Sequence, residues 1–135
     1  GGVDLASFWA QNRVQAYQGV SVPGFPNSFS ILGPYGWNGT SYFALIETQM
    51  RQIVRLLSEA RRRRATWADV TPEANAAYHA DMMRRRGHQI WFNADCATSN
   101  SYYFDEHGDV PFRPVTSLEA WWRSGHFPLS DYRFG

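Results

Sequence analysis

Gly33, Gly36 and Gly39 stand three apart in the run Gly33-Pro34-Tyr35-Gly36-Trp37-Asn38-Gly39-Thr40-Ser41. Glycine lets a backbone come close to a ligand, and the chain after Ser41 has the apolar spacing of a helix. The first-turn amides of a helix lack intrahelical acceptors and sit at the positive end of its dipole. Such a loop can cradle an anion or the electron-rich edge of a polar heterocycle. It is also consistent with a strand-to-helix connector that holds nothing. Its spacing, GxxGxxG, is not the dinucleotide fingerprint, and no βαβ continuation with an acidic residue on a second strand follows.

The other chemistry-bearing residues are dispersed. His79, His88, His107 and His126 have no metal-ligand spacing, and Cys96 has no second ligand nearby, so a metal site is not expected. Cys96 with a distant histidine could form a nucleophile pair, but an inert thiol is the simpler reading. No serine stands in a Gly-x-Ser-x-Gly turn. The runs Arg61–Arg64 and Arg84–Arg86 could meet phosphates; both lie at expected helix ends, where basic residues complement the dipole. Trp91, Phe92, Tyr102, Tyr103, Phe104, Phe112, Trp121 and Trp122 either line a pocket for a planar ligand or pack as core.

These residues need elements to hold them. A short helical or irregular segment is expected over residues 1–20, stopping at Gly19. The prolines of residues 21–28 rule out a helix or a central strand there. Phe29–Leu32 reads as a short strand, broken by Gly33-Pro34. The spacing predicts a helix from about Ser41 to Arg63. Tyr42, Leu45, Ile46, Met50, Ile53, Val54, Leu57 and Ala60 would form one inward stripe, with Glu47, Arg51, Arg55, Glu59 and Arg63 opposite. Thr71 as N-cap and Pro72 at the first helical position open a second helix. It would turn Ala74, Ala77, Tyr78 and Met82 inward and run to Arg86; Gly87 could end it there, but continuation towards Trp91 is the favoured reading. Beyond Asp95 the chain reads as loop and short strand, with Tyr102-Tyr103-Phe104 extended and Glu106–Asp109 turning. Thr116 and Glu119 form a capping box for a last helix carrying Leu118, Trp121 and Trp122.

The chain has 135 residues, enough for one domain, and 16% of them are aromatic, six being tryptophan. So many rings require a dense core or a partner surface. The net charge of +1 gives no field that would draw the protein onto nucleic acid or an anionic membrane. All 13 basic residues are arginine, which reads first as a GC-rich coding bias and second as a need for bidentate anion contacts. A lone cysteine suits a reducing, cytoplasmic setting, and no apolar run reaches the length of a membrane span.

Several motifs resemble the carboxyl-terminal part of class B flavoprotein monooxygenases, the flavin-containing and Baeyer–Villiger type. They are Tyr17-x-Gly19, then Pro23-Gly24-Phe25-Pro26-Asn27-x-Phe29, then Leu32-Gly33-Pro34. Asn38 and Ser41 follow in a polar loop, and Ile46-Glu47-x-Gln49 in a helix. Trp91, Cys96 and Asn100-Ser101-Tyr102-Tyr103 are similar to that family's Trp…Cys…Ser-Trp-Tyr region, with Tyr102 where the family has Trp.

The resemblance implies an α/β fold, the C-terminal part of an FAD/NAD(P)-binding Rossmann-type flavoprotein. It would comprise one short closing strand, two or three helices and a loop-rich aromatic end. Residues 1–64 would be the closing strand and helix of the FAD-binding domain, and residues 65–135 a helical, loop-rich extension of it. The implied function is insertion of one oxygen atom of O2 into a small organic substrate through a flavin C4a-peroxide, with FAD and NADPH as cofactors. Gly33, Pro34, Asn38, Gly39, Thr40 and Ser41 would contact FAD, and Tyr102 and Tyr103 would lie near NADP. No catalytic residue is assigned. The GxGxxG-type turns for FAD and NADPH have no counterpart in the chain. The expected partner is therefore a missing amino-terminal FAD/NADPH-binding part, without which the segment is inactive. The alternative is a non-catalytic interaction module derived from a truncated flavoprotein; nucleic-acid binding is a distant third.

Overall fold

The computed structural model describes residues 2–92 and 102–135. Four helices carry it: α1 (Leu5–Asn12), α2 (Tyr42–Arg63), α3 (Pro72–Arg85) and α4 (Ser117–His126). Two three-residue strands, β1 (Ala68–Val70) and β2 (Tyr132–Phe134), pair antiparallel, with Ala68 opposite Phe134 and Val70 opposite Tyr132. Cys96, Asn100 and Ser101 lie outside the described residues.

Three of the four helices begin where a side chain supplies an acceptor. Asp4 caps α1 through Ser7 N–H at 2.9 Å. Thr71 Oγ1 accepts from Ala74 N–H and Thr116 Oγ1 from Glu119 N–H, both at 3.2 Å. The reciprocal half of the expected capping box does not form, because Glu119 pairs with Arg85 at 3.0 Å and Arg123 at 2.6 Å. α2 lacks a side-chain cap on Ser41 and ends with Arg64 at φ 58°, whose N–H reaches the carbonyls of Ala60 and Arg61.

The core is rich in tyrosine. Tyr17 meets Tyr78, Phe127 and Tyr132 edge-on at ring separations of 5.7, 6.5 and 5.8 Å, around Leu56, Val70, Met82 and Val115. Each hydroxyl must find a partner where water is excluded. Tyr78 donates to the carbonyl of Tyr35 at 2.8 Å, and Tyr17 to Asp131. Tyr132 Oη takes Gln52 Nε2 at 3.1 Å and Ser21 Oγ at 2.9 Å. Burial pushes the Tyr132 hydroxyl up to about 12.

Several further expectations are corrected. Phe29–Leu32 does not form a strand: Leu32 sits at φ 59°, and its N–H goes to the Gln49 side chain rather than to a neighbouring strand. The second helix does not continue to Trp91; it ends at Arg85, and two short 3-10 turns follow, separated by an extended Gln89. In it Tyr78 and Met82 are buried as expected, but Ala77 is exposed. Tyr102 and Tyr103 form a turn, not an extended run.

The largest correction concerns which side of α2 faces inward. Leu45, Ile53, Leu56 and Ala60 are buried, together with polar Thr48, Gln49, Gln52 and Glu59. Tyr42, Met50, Val54 and Leu57 face outward, 63%, 42%, 55% and 47% exposed. Of the face expected to be solvated, Glu47 and Arg63 are exposed, but Arg51 and Arg55 meet α4 and Phe127 just after it. The Arg51 guanidinium lies 3.8 Å over the Trp121 ring and that of Arg55 4.8 Å over Phe127. Arg55 also donates to the carbonyl of Gly125, where the lack of a Cβ admits the Arg51 head group. Long arginine stems cover apolar surface as well as aliphatic residues do, so charge alone did not mark this face as outer.

Candidate functional site

The loop of residues 33–41 is fixed from both sides before it reaches α2. Gln49 is 2% exposed; its Oε1 accepts Leu32 N–H at 2.7 Å and its Nε2 donates to the carbonyl of Gly36 at 3.1 Å. Opposite, the turn at Gly19, itself at φ 73°, presses against the loop. A Cβ on Gly33 would come within 2.5 Å of the Gly19 carbonyl oxygen, and one on Gly36 within 2.7 Å of Gly19 Cα. Two of the three glycines thus have a packing reason that needs no ligand. The segment 111–113 runs alongside: Tyr35 N–H donates to the carbonyl of Pro111 at 2.8 Å, and Arg113 N–H to that of Trp37 at 2.7 Å.

Beyond Trp37 the loop opens to solvent. Gly39, Thr40 and Ser41 are exposed, and a Cβ on Gly39 would meet nothing within 4 Å. Asn38 Nδ2 reaches the carbonyl of Val115 at 3.4 Å, while its Oδ1 is buried without a partner. Ser41 offers no side-chain cap, and no acidic residue stands in the first turn of α2. A helix of 22 residues therefore presents bare amides at an accessible end, where negative charge is favoured.

Tyr103 belongs to the same neighbourhood. Its ring lies 5.0 Å from Trp91, 5.0 Å from Phe112 and 6.4 Å from Trp37, which itself packs 4.0 Å from Phe112. Tyr102 is 87% exposed and donates to the Tyr103 hydroxyl at 2.7 Å. The aromatic residues of the second half thus divide: Trp91, Tyr103 and Phe112 pack on one another and on Trp37, while Trp121 and Trp122 sit on α4. Sequence reasoning missed Gln49 as a clamp and Arg113 altogether. A glutamine inside an apolar helical stripe was the signal for the first.

Arg113 is 6% exposed; burial pushes its pKa below the ordinary arginine value, although it stays positive at neutral pH. The arginine runs pair with acids nearby: Arg62 and Arg63 with Glu59, Arg84 and Arg85 with Asp81, and Arg86 with Asp109. Among the described residues no group of three or more His, Cys, Asp or Glu could hold a metal ion. None of their helices is long and apolar enough to cross a membrane.

No family model matches the chain. It is 28% identical over 96 residues to a Baeyer–Villiger monooxygenase of Pseudomonas aeruginosa, covering 70% of this chain and 18% of that protein. An uncharacterized monooxygenase of Mycobacterium tuberculosis is 29% identical over 118 residues, 84% of this chain and 23% of its own length. Among solved structures, a cyclohexanone monooxygenase mutant from Rhodococcus bound to NADP+ superposes with a TM-score of 0.78 at 20% identity. The match covers 98% of this chain and 24% of that one. The chain resembles Baeyer–Villiger monooxygenases. OTEMO, in complex with FAD and NADP, gives a TM-score of 0.77 at 18% identity over 98% of this chain and 25% of its own. The fold is thus that of one part of a Baeyer–Villiger monooxygenase, and the chain spans about a fifth to a quarter of the length of the proteins it matches.

Proposed function

We propose that this chain is part of an FAD- and NADPH-dependent monooxygenase that places one oxygen atom of O2 in a small organic substrate. The open amino end of α2 carries the reading, set in a fold shared with OTEMO, whose structure holds FAD and NADP. The residues present suit a flavin. The first-turn amides have no side-chain acceptor, no carboxylate repels negative charge there, and Gly39–Ser41 leave the approach clear. In this reading Gly33, Pro34 and the backbone of Asn38, Gly39, Thr40 and Ser41 hold FAD, and Tyr102 and Tyr103 stand beside NADPH. FAD, reduced by NADPH, supplies the activation of O2 and the oxygen transfer. The chain contributes fixed N–H dipoles, which favour negative charge on the edge they face without having to reorganise. Gln49 and the Gly19 turn keep those dipoles in place.

The partner in this reading is an amino-terminal FAD/NADPH-binding part, and the 135-residue chain alone is inactive. The outward stripe of Phe43, Met50, Val54 and Leu57 supports it, because apolar side chains at helical spacing on one face call for a cover. A cytoplasmic setting belongs to the same proposal. The test is to combine the chain with the remaining part of the Pseudomonas aeruginosa relative and measure retained FAD and NADPH oxidation. Neither is expected from the chain alone, and both from the combination. Docking without flavin retention would favour a non-catalytic interaction module; FAD retention with NADPH oxidation by the chain alone would contradict the division of labour.

A further inference from the structure

Arg113 is a buried cation with no carboxylate at ion-pair distance among the described residues; Glu119, itself paired with Arg85 and Arg123, acts on it only from farther away. The Arg113 Nε–H has no acceptor, and its Nη1 reaches only the carbonyl of Gly36, at 3.4 Å. Withdrawing a guanidinium from water without an anion is costly, so a buried arginine normally has a carboxylate or phosphate beside it. Arg113 lines a cavity of about 220 Å³ between the first turns of α2 and α4, with Thr40 and Ala44 on one side and Ser117 on the other. Two helix amino ends therefore add their positive poles to that of the guanidinium. The rest of the wall is Leu45 and Trp121, over whose ring Arg51 lies, together with the polar residues Glu47 and Thr48.

We propose that this cavity binds the carboxylate of a small organic acid, with Arg113 as its counter-ion and Leu45, Ala44 and Trp121 around its apolar body. A cavity of roughly 150 Å³ accepts benzene, so a ring with a carboxylate fits the larger volume here. Glu47 also lines the cavity, and its carboxylate disfavours a phosphate dianion more than a single negative charge. The proposal shares Thr40 and the amino end of α2 with the flavin reading but does not rest on it, because Arg113, Ser117 and Trp121, which also line the cavity, have no part in that reading.

The test is a titration of the 135-residue chain with benzoate, followed by NMR at Arg113 Nε–H and the Trp121 indole, with benzamide and inorganic phosphate as probes of charge. Benzoate should shift both signals saturably, and benzamide and phosphate should bind at least about tenfold more weakly. Arg113→Gln should abolish the effect. Should that variant not fold, Ala44→Leu, which narrows the cavity from an exposed helical position, should weaken benzoate about tenfold while leaving the Arg113 signal in place. Equal responses to benzoate and benzamide, a stronger response to phosphate, or unchanged benzoate binding in Ala44→Leu would each overturn the proposal.

Discussion

Both ends of the Gln49 amide are committed to backbone groups of the loop before α2. Gln49→Leu keeps the volume, strands the Leu32 N–H and leaves the Gly36 carbonyl only its long contact with Arg113, so chemical denaturation should show a loss of about 1–3 kcal/mol. Gly36→Ala should cost about 1–3 kcal/mol by the same measurement, because its Cβ runs into the Gly19 turn. Ser41→Asp is expected to act in opposite directions on stability and function. A carboxylate at the bare end of α2 should stabilise the helix by about 0.3–1 kcal/mol and lower FAD retention in the combined protein. Stability and FAD retention falling together would mean that the residue acts through folding alone. The three glycines were legible in the sequence as special positions. Two of them are special because backbone meets backbone at Gly19, a contact between turns far apart along the chain that local spacing cannot show.

Helix α2 was legible almost to its ends, since a 3.6-residue pattern, a polar start and a basic finish all agree. Its orientation was not. The sequence offers apolar residues over most of its circumference, and arginines that pack on Trp121 and Phe127 reverse the inference that charge faces water. Val54→Asp, on the exposed face, should leave the isolated chain within about 0.5 kcal/mol of its original stability. The same change should weaken docking of the amino-terminal part at least about tenfold, read as a binding isotherm. At the other end of α2, hydrogen bonds from Arg62 and Arg63 hold the Glu59 carboxyl at about 2, against an ordinary 4.5. Its folded-state pKa is depressed, so the stability it contributes is full above pH 4.5 and is lost as pH falls towards about 2. Glu59→Gln should flatten acid unfolding across that window, as followed by circular dichroism.

At the scale of the whole molecule, the described residues combine four helices, a two-stranded sheet and a core built on tyrosine hydroxyls tied to distant polar groups. The sheet was illegible in advance: Ala68–Val70 and Tyr132–Phe134 are too short to show a period, and their pairing joins the middle of the chain to its end. The family likeness was legible in the first 60 residues, where turn prolines and glycines fix the path around Gly19 and Gly33. The site was legible as a loop and a helix start, but not as a loop clamped from behind by Gln49. That clamp is what would let the α2 amides act on a flavin. The most direct test is a crystal structure of the combined protein with FAD bound. The account predicts first-turn amides of α2 within about 3 Å of an isoalloxazine oxygen or nitrogen. An α2 that begins against solvent or packed side chains, away from the ring, would contradict it.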